Sequence, residues 1–459
     1  VAPTSTEFSV QGNGTNKENA TYVAYVFAHN DNGDGGFGPD SDQDIIKCGG
    51  ITNAAASVVT VDLGFEAQWV LMKRIDSSGS WFLADVMRGM PVITTSTGNT
   101  ARLFADATSA ESADPLIGPH QTGFQFNNQW GSSSDWIYMA IRRDPLAVPE
   151  DATDVFDVIE TNSGLTTAMT TGFPVDAQLA TATSQTSNRW LVDRLRGVRT
   201  NASFSTPGIR TNSSDQEGGN TGYSLWWDSE GFAIPSEWAS INTVFYNWRR
   251  APSFFDMVAY TGTGVASRAI THNLGVSPEL VIVKSRSAAG NWFTWCSELG
   301  NDHHFFINST GAKQSSSLYM RSATDTVFNL GTQSSGAGVN SSGVTHIMYL
   351  FSTLAGISKV GSYTGDGTTG RVIDCGFTSG ARFVLTRRTN TTGNWNVWDT
   401  ERGIVAGNDP RLELNANAAQ DSGHDYIDPD NSGFIVNYVA DDDDDTNVYN
   451  DNYIFYAIA

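Results

Sequence analysis

A tryptophan-centred motif recurs four times along this chain, and its spacing constrains the fold more than any single residue does. The copies are Ser80-Trp81…Asp85-x-x-Arg88-Gly89, Arg189-Trp190…Asp193-x-x-Arg196-Gly197, Asn291-Trp292…Leu299-Gly300 and Asn394-Trp395…Asp399-x-x-Arg402-Gly403. Their tryptophans lie 109, 102 and 103 residues apart. A nearly constant period indicates one structural unit that is used repeatedly, so the sequence predicts tandem modules of about 100 residues.

The composition favours β-structure in every module. The chain has 459 residues, of which 45 are glycine and only 17% are charged, so the helix formers Glu and Lys are scarce. Short β-branched and aromatic runs separated by turn residues are typical of all-β proteins. About seven such runs in each module match the size of a β-sandwich. We therefore predict an all-β fold built from tandem, jelly-roll-like β-sandwich modules.

Alignment of the repeats predicts the domain boundaries. Four β-sandwich modules, numbered 1 to 4 below, are expected at residues 45–148, 149–252, 253–355 and 356–459, and module 2 is the most diverged. The linkers between them are short, at residues 142–145, 249–252 and 354–356, and two of them contain proline. Short, proline-containing linkers restrict relative motion, which predicts a semi-rigid arrangement.

Residues 1–44 resemble the second half of an incomplete repeat followed by an acidic Gly/Asp loop. The run at 21–27 matches the closing run of module 3 at 345–351, and Phe8 matches Phe328. Strands without partners leave open edges and exposed apolar faces. We therefore expect this half repeat to pair with the following module, with another chain or with upstream sequence.

The charge and cysteine content exclude several functional classes. A net charge of -22 disfavours nucleic-acid binding through a basic surface, and it disfavours contact with an anionic membrane. The sequence also lacks an apolar stretch of the roughly 18 residues that a membrane-spanning helix needs, so no membrane insertion is predicted. The odd number and wide spacing of Cys48, Cys296 and Cys375 indicate buried thiols, not a disulfide framework or a zinc site.

The Asp-x-x-Arg-Gly element is the most repeated candidate site. Asp85, Asp193 and Asp399 are the residues that a functional interpretation would make ligands or acids. In the structural interpretation the aspartate accepts backbone N–H groups of a turn, the arginine pairs with it and the glycine supplies a positive φ. Recurrence in several modules favours the structural interpretation, although Cys296 replaces the aspartate in module 3. We predict no catalytic residues and no cofactor.

Two acidic runs are the candidates for a divalent cation such as calcium. Asn30-Asp31-Asn32-Gly33-Asp34-Gly35 resembles the start of an EF-hand loop, but Ser41 stands where the loop needs a glutamate. The five aspartates at 441–445 repel one another and indicate a solvated hairpin tip. A plain acidic loop is the simpler interpretation of both runs, so the metal ligands stay unassigned.

Two pairs of neighbouring side chains bear on other kinds of site. His303 and His304 are adjacent, and in a strand they would point to opposite faces and could not share a metal. Trp226 and Trp227 would also face opposite sides, so one of them is expected to be exposed and able to stack on a sugar ring.

Three stretches of the sequence resemble a known repeat family. They are His272-Asn273-Leu274-Gly275 with the run to Arg286, Leu354-Ala355-Gly356 with the run to Gly365, and Asn394-Trp395 with the run through Arg402-Gly403 to Pro410. They are similar to an uncharacterised Trp/Arg-Gly repeat family found in tail-associated structural proteins of marine and related tailed bacteriophages. The resemblance implies a virion component, in a tail fibre or a similar surface appendage, and it implies no catalytic residue.

Together these observations predict a non-enzymatic bacteriophage structural protein, located on the virion and outside cells, that takes part in host attachment. The expected partners are other virion proteins, copies of the chain itself and a host-surface glycan. Weak contacts repeated on one particle would add up through avidity. The alternatives are an extracellular carbohydrate-binding adhesin and a polysaccharide depolymerase.

Overall fold

The structure, a computed structural model, confirms the all-β sandwich fold. It describes the chain except for residues 1–3, 5, 13, 28, 30–35, 39–40, 42, 55–56, 94–99, 130–131, 146, 162–167, 199–206, 219–225, 235–240, 332–337 and 440–445, and except for the side chain of Trp226. The helical elements of the described residues are two single 3-10 turns, η1 (Ala152–Asp154) and η2 (Ser297–Leu299).

Modules 1 and 2 each fold into a large and a small antiparallel sheet. Module 1 contains β1 (Ile46–Asn53), β2 (Val58–Asp62), β3 (Ala67–Arg74), β4 (Trp81–Asp85), β5 (Thr100–Phe104), β6 (Ser112–Asp114), β7 (Ile117–His120), β8 (Gly123–Asn127) and β9 (Ser134–Arg142). Module 2 contains β10 (Phe156–Thr161), β11 (Ala168–Thr170), β12 (Ala177–Ala182), β13 (Trp190–Asp193), β14 (Ile209–Arg210), β15 (Trp226–Trp227), β16 (Gly231–Ala233) and β17 (Thr243–Trp248).

Modules 3 and 4 repeat this plan. Module 3 contains β18 (Phe255–Thr261), β19 (Ala269–Thr271), β20 (Leu280–Ser285), β21 (Phe293–Cys296), β22 (His303–Phe306), β23 (Gln314–Ser315), β24 (Met320–Ala323), β25 (Val327–Leu330) and β26 (Thr345–Phe351). Module 4 contains β27 (Ser358–Thr364), β28 (Arg371–Asp374), β29 (Phe383–Arg388), β30 (Trp395–Asp399), β31 (Leu412–Glu413), β32 (Ile427–Asp430), β33 (Gly433–Val436) and β34 (Asn452–Ile458).

All four modules share one strand order, which makes the closing strand central. In the large sheet the closing strand lies between the first strand and the third, as in β18-β26-β20-β21-β22-β23 and β27-β34-β29-β30-β31. The second strand pairs in the small sheet, as in β19-β25-β24 and β28-β33-β32. Because successive strand residues point to opposite faces, one face of each large sheet packs on the small sheet and the other points away from the sandwich.

Modules 2, 3 and 4 form a closed ring in which the three contacts use equivalent residues. One backbone N–H donates across each contact, from Gly290 to Ser214 (2.7 Å), from Gly393 to Thr310 (3.0 Å) and from Ser187 to Asn417 (2.9 Å). A second bond returns across each contact, from Glu217 to Arg286 (2.8 Å), from Lys313 to Thr389 (3.0 Å) and from Gln420 to Thr183 (2.9 Å). Strand registers place both sets at matching positions of the modules.

The centre of the ring is an apolar core that no module could form alone. The outer faces of the three large sheets meet there, with Leu179 from module 2, Ile282 from module 3 and Leu385 from module 4 all buried. A cavity of about 60 Å³ with an apolar lining remains between them. Burial of apolar area stabilises by about 25 cal/mol per Å², so this shared core holds the modules together in addition to their linkers.

Module 1 lies beside this ring and is attached to it by a buried ionic network. Arg250, in the linker before module 3, donates to both carboxylate oxygens of Glu66 in module 1 (2.8 and 2.6 Å) and to Asp256 in module 3 (2.8 Å). Burial alone lowers the pKa of a guanidinium, but the two carboxylates raise the pKa of Arg250 well above its usual value. The linker predicted to be short and stiff is therefore itself a packed part of the fold.

The prediction for the half repeat is wrong in one respect. Residues 21–27, expected to be a strand, lie outside the strands of the structure, and Tyr25 is 84% exposed. The expected pairing with the following module is therefore not formed within the described residues.

The sequence alignment of module 2 was wrong by one residue. In the strand registers Arg189, not Trp190, occupies the place of Trp292 and Trp395, since each lies four residues before Asp193, Cys296 or Asp399. When Arg189 is aligned with Trp292 and Trp395, the interval between successive modules is 103 residues in both cases. Arg189 is fully buried, and its Nε donates to the carbonyl of Glu413 in module 4 at 3.0 Å.

Candidate functional site

The Asp-x-x-Arg-Gly element has the geometry of the structural interpretation. The backbone N–H of the arginine donates to the aspartate three residues earlier at 2.8, 2.9 and 2.9 Å in modules 1, 2 and 4. The Nε atom of the same arginine donates to the second carboxylate oxygen at 2.6, 2.5 and 2.6 Å. Gly89, Gly197 and Gly403 have φ of 107°, 110° and 118°, where a side chain would be strained.

In two of these ion pairs the aspartate also accepts a hydrogen bond from a tyrosine of a neighbouring module. Tyr349 of module 3 donates its hydroxyl to Asp193 of module 2 at 2.7 Å, and Tyr246 of module 2 donates to Asp399 of module 4 at 2.8 Å. Burial raises the pKa of both tyrosines well above the usual value. Both carboxylates therefore accept hydrogen bonds from the turn, the arginine and the tyrosine, which is the arrangement that the structural interpretation expects.

The third contact of the ring lacks this bond. The equivalent tyrosine is Tyr456 of module 4, and the place of the aspartate in module 3 is taken by Cys296. The Tyr456 hydroxyl is buried without a hydrogen-bond partner among the described residues. Burial raises the pKa of the Cys296 thiol to about 12, so this cysteine stays protonated and behaves as an apolar side chain.

The other sequence-predicted sites are not assembled where the structure can be described. The runs at 30–35 and 441–445 lie outside the described residues. Within the described part of the chain no group of three or more His, Cys, Asp and Glu side chains could hold a metal ion. His304 is buried and His303 is partly exposed, as expected for opposite strand faces. Trp227 is buried, which removes it as a sugar platform.

A cleft of about 390 Å³ between modules 1 and 3 is the candidate ligand site. One wall is the β7–β8 hairpin of module 1, and the other is formed by β18, β19 and the start of β26 in module 3. The side chain of Gln121 donates to the carbonyl of Ala259 at 3.3 Å, and the side chain of Asn273 donates to the carbonyl of Gln121 at 3.0 Å. These bonds fix the distance between the walls. Clefts between domains are common places for ligands.

Among the described residues, the lining of this cleft contains no carboxylate, although the chain carries a net charge of -22. The polar lining residues are His120, Gln121, Thr122, Gln125, Tyr260, Thr261, Arg268, Thr271, Arg286, Thr345 and His346. The charge of Arg286 is neutralised, because its Nε and Nη2 donate to Glu217 at 2.8 and 3.0 Å. The local field therefore favours a polar or anionic group.

Arg268 is the cation of the cleft that lacks a carboxylate partner within the described residues. Its Nη1 donates to the carbonyl of Thr261 and to Asn340 Oδ1, and its guanidinium lies 5.3 Å from the ring centre of Tyr260. Burial lowers its pKa. The equivalent residue of module 4, Arg371, lies over Tyr363 in the same way, but it also pairs with Asp366 at 3.6 Å. Module 3 keeps the arginine without that acid.

The histidines of the cleft are neutral at pH 7. His346 stacks on Tyr260 with ring centres 5.0 Å apart, and its Nε2 lies 2.8 Å from the carbonyl of Gly338. Burial lowers the pKa of His346 to about 4, and burial also lowers the pKa of His120. Their rings therefore shape the wall and add no charge.

Sequence reasoning could not find this cleft. Its walls come from distant segments, since Gln121 lies 138 residues before Ala259, and neither Gln121 nor Arg268 belongs to a motif. The missing acid at the position equivalent to Asp366 of module 4, which is Thr263 in module 3, is the one signal that an alignment of the modules could have given.

Comparison with known proteins identifies a family without an assigned function. A family described as a domain of unknown function (DUF7483) matches residues 1–145 and 153–459. The chain belongs to this family. The DUF7483 match thus covers the half repeat and nearly all of the four modules. None of the curated proteins and none of the solved structures matches the chain. Among the described residues no helix is long and apolar enough to cross a membrane.

Proposed function

We propose that this chain is a non-enzymatic structural protein of a bacteriophage surface appendage, such as a tail fibre, and that it attaches to acidic polysaccharide on the host surface. The resemblance of residues 272–286 and 394–410 to phage tail-associated repeats supports the virion setting. The ring of modules 2 to 4 supports a scaffold role, because a shared core and paired backbone bonds make the three modules one stiff body.

The cleft without carboxylates carries the binding part of the proposal. In a protein with a net charge of -22, an acidic polymer would be repelled by most of the surface. The cleft instead offers Arg268 together with the amides of Gln121 and Gln125. A guanidinium binds a carboxylate, sulfate or phosphate group through charge-assisted hydrogen bonds, and amides and hydroxyls match the hydroxyl groups of sugars. One such site binds weakly, and many copies on a particle multiply the effect.

A binding measurement with a matched control tests this site. Titration calorimetry with oligosaccharides prepared from acidic capsular or lipopolysaccharide fractions should detect binding to the full chain. Arg268→Ala should weaken that binding at least tenfold. Arg371→Ala should leave it unchanged, because Arg371 lies outside the cleft. The control is matched, since each variant loses the same kind of contact with a tyrosine ring. Equal effects of both variants, or binding that Arg268→Ala does not change, would contradict the assignment of the cleft.

Two further measurements separate the proposal from its alternatives. Immunogold labelling of phage particles with an antibody against module 4 should decorate an appendage, whereas labelling of a cell surface would favour the adhesin. A reducing-end assay on the same polysaccharide fractions should show no release of sugar ends. Release that persists in purified protein would favour the depolymerase.

A further inference from the structure

Module 1 has an apolar sheet face that nothing in the described part of the chain covers. On its large sheet the sandwich-facing residues Val70, Met72 and Ala84 are buried, and the residues that alternate with them are only partly buried. This outer face, called the module 1 face below, consists of Trp69, Leu71, Trp81, Leu83, Ile137, Met139 and Ile141. Contiguous apolar surface of this kind marks an interaction site.

The same face is the ring contact in the other three modules. By strand register, Leu71 of module 1 corresponds to Leu179, Ile282 and Leu385, which are 4%, 8% and 6% exposed at the centre of the ring. The strands equivalent to β3 in modules 2 and 3, β12 and β20, are buried on both faces. In β3 itself, buried residues alternate with partly exposed ones. Module 1 therefore has the same face that forms the ring in the other three modules, but within the described part of one chain no other module packs against it.

The face also keeps both halves of the contact that closes the ring. Across the ring contacts, Trp292 Nε1 of module 3 donates to the carbonyl of Arg210 in module 2 at 2.9 Å. Likewise, Trp395 Nε1 of module 4 donates to the carbonyl of Phe306 in module 3 at 3.1 Å. The strand registers place Trp81 of module 1 at the donor position and its own Phe104 at the acceptor position. Within the described residues the Trp81 indole N–H has no hydrogen-bond acceptor.

We infer that three copies of this chain associate through the module 1 face, as modules 2, 3 and 4 associate within one chain. A surface with a donor patch and a different acceptor patch forms a closed ring when the rotation between neighbours closes. Modules 2 to 4 show that this fold closes after three members. The inference is independent of the proposed function, since it uses the faces of the modules alone.

One position of the face departs from the ring pattern. Met139 stands where modules 2, 3 and 4 have Tyr246, Tyr349 and Tyr456. A trimer through module 1 would thus lack the tyrosine bond to the aspartate, so Asp85 would keep only its own turn and Arg88. The contact between modules 4 and 3 is closed without that bond too, because Cys296 replaces the aspartate there.

The mass of the full chain in solution tests the inference. Sedimentation velocity at micromolar concentration should give three times the mass of one chain. Met139→Glu places a charge in the middle of the face, outside the sandwich core, and should give monomers with unchanged circular dichroism. Val58→Glu, at an exposed position of β2 in the small sheet of the same module, lies away from the module 1 face and should stay trimeric. A monomeric or dimeric wild type, or a trimer that survives Met139→Glu, would overturn the inference.

Cross-linking tests the geometry independently of affinity. Gly79 and Thr108 correspond to Gly290 and Ser214, whose backbones are hydrogen-bonded across the ring, a separation at which two cysteines can form a disulfide. In a Cys48→Ala background, the double variant Gly79→Cys and Thr108→Cys should oxidise to a covalent trimer, and each single variant should not. A covalent product of random size, or a bridge formed within one chain, would contradict the ring.

Discussion

The hydroxyl of Tyr349 in module 3 donates a hydrogen bond of 2.7 Å to Asp193 in module 2, and both groups are buried between the two modules. The carboxylate already accepts the backbone N–H and the Nε of Arg196. Burial on its own lowers the pKa of Arg196, but Asp193 raises it above the usual value. A motif local to module 2 is therefore completed by a residue 156 positions away.

Removal of the tyrosine hydroxyl should have different effects at three equivalent positions. Tyr246→Phe and Tyr349→Phe should each lower the free energy of unfolding by about 1.5 to 3 kcal/mol, the usual loss for a hydrogen bond to a charged group. Tyr456→Phe should be neutral or stabilising, since that hydroxyl has no partner among the described residues. Urea denaturation followed by circular dichroism measures all three. A similar loss at Tyr456 would show that its hydroxyl is bonded.

The aspartates of the repeated motif should differ in importance according to burial. Asp399→Asn leaves Arg402 buried without its counter-charge, and we expect a loss of about 3 to 5 kcal/mol. Asp85→Asn, made in the monomeric Met139→Glu background, should cost less than about 1 kcal/mol, because the side chains of Asp85 and Arg88 are 18% and 24% exposed in a single chain. The same urea titration compares them. Equal losses in that background would show that burial within the chain does not set the difference between the two ion pairs.

Restoring the motif in module 3 should require two substitutions together. Cys296→Asp alone buries a carboxylate without an arginine and should destabilise by about 3 kcal/mol or more. Adding Leu299→Arg supplies the partner at the spacing found in modules 2 and 4, and Tyr456 gains an acceptor. The double variant should recover at least half of the loss, measured as a double-mutant cycle. Additive losses would show that the turn at η2 does not allow the ion pair.

The stability of module 4 should fall as the pH rises from about 4 to about 7 through one buried carboxyl. Burial raises the pKa of Asp409 to about 7, with Asp425 and Asp428 adding to the rise, although two backbone N–H groups oppose it. A carboxyl whose pKa is higher in the folded state stabilises below its unfolded pKa, and that stabilisation is lost as the pH rises through the folded pKa.

Comparison of denaturation midpoints at pH 4 and pH 7 checks this effect. Asp409→Asn should reduce the fall in midpoint relative to the wild type, because it removes the titrating group. Asp430→Asn is the control, since its side chain lies at the surface and accepts only local bonds from Ser432. If Asp409→Asn and the wild type changed in parallel, the carboxyl of Asp409 would not titrate in this range.

The residues of the repeated motif were sufficient to predict its local structure. Asp, Arg and Gly at fixed spacing can satisfy one another within a turn, so the geometry at Asp85, Asp193 and Asp399 follows from short-range chemistry. The alternation of apolar residues likewise predicted β-sandwiches, and the period predicted the modules. The alignment of Trp190 was wrong because a comparison of sequences matches tryptophan with tryptophan. The strand register instead places Arg189 at the position of Trp292 and Trp395.

What the sequence determined by itself is everything that depends on neighbours within one module: the strands, the turns and the apolar inner faces. The tertiary structure decided which outer faces meet, since Leu179, Ile282 and Leu385 are similar to Leu71 as residues but only the first three are buried in a ring. It also decided that Gln121 and Arg268 share a cleft. The physical reason is that apolar attraction has no direction, so partners are selected by the geometry of the assembled modules and not by the pattern of any one of them.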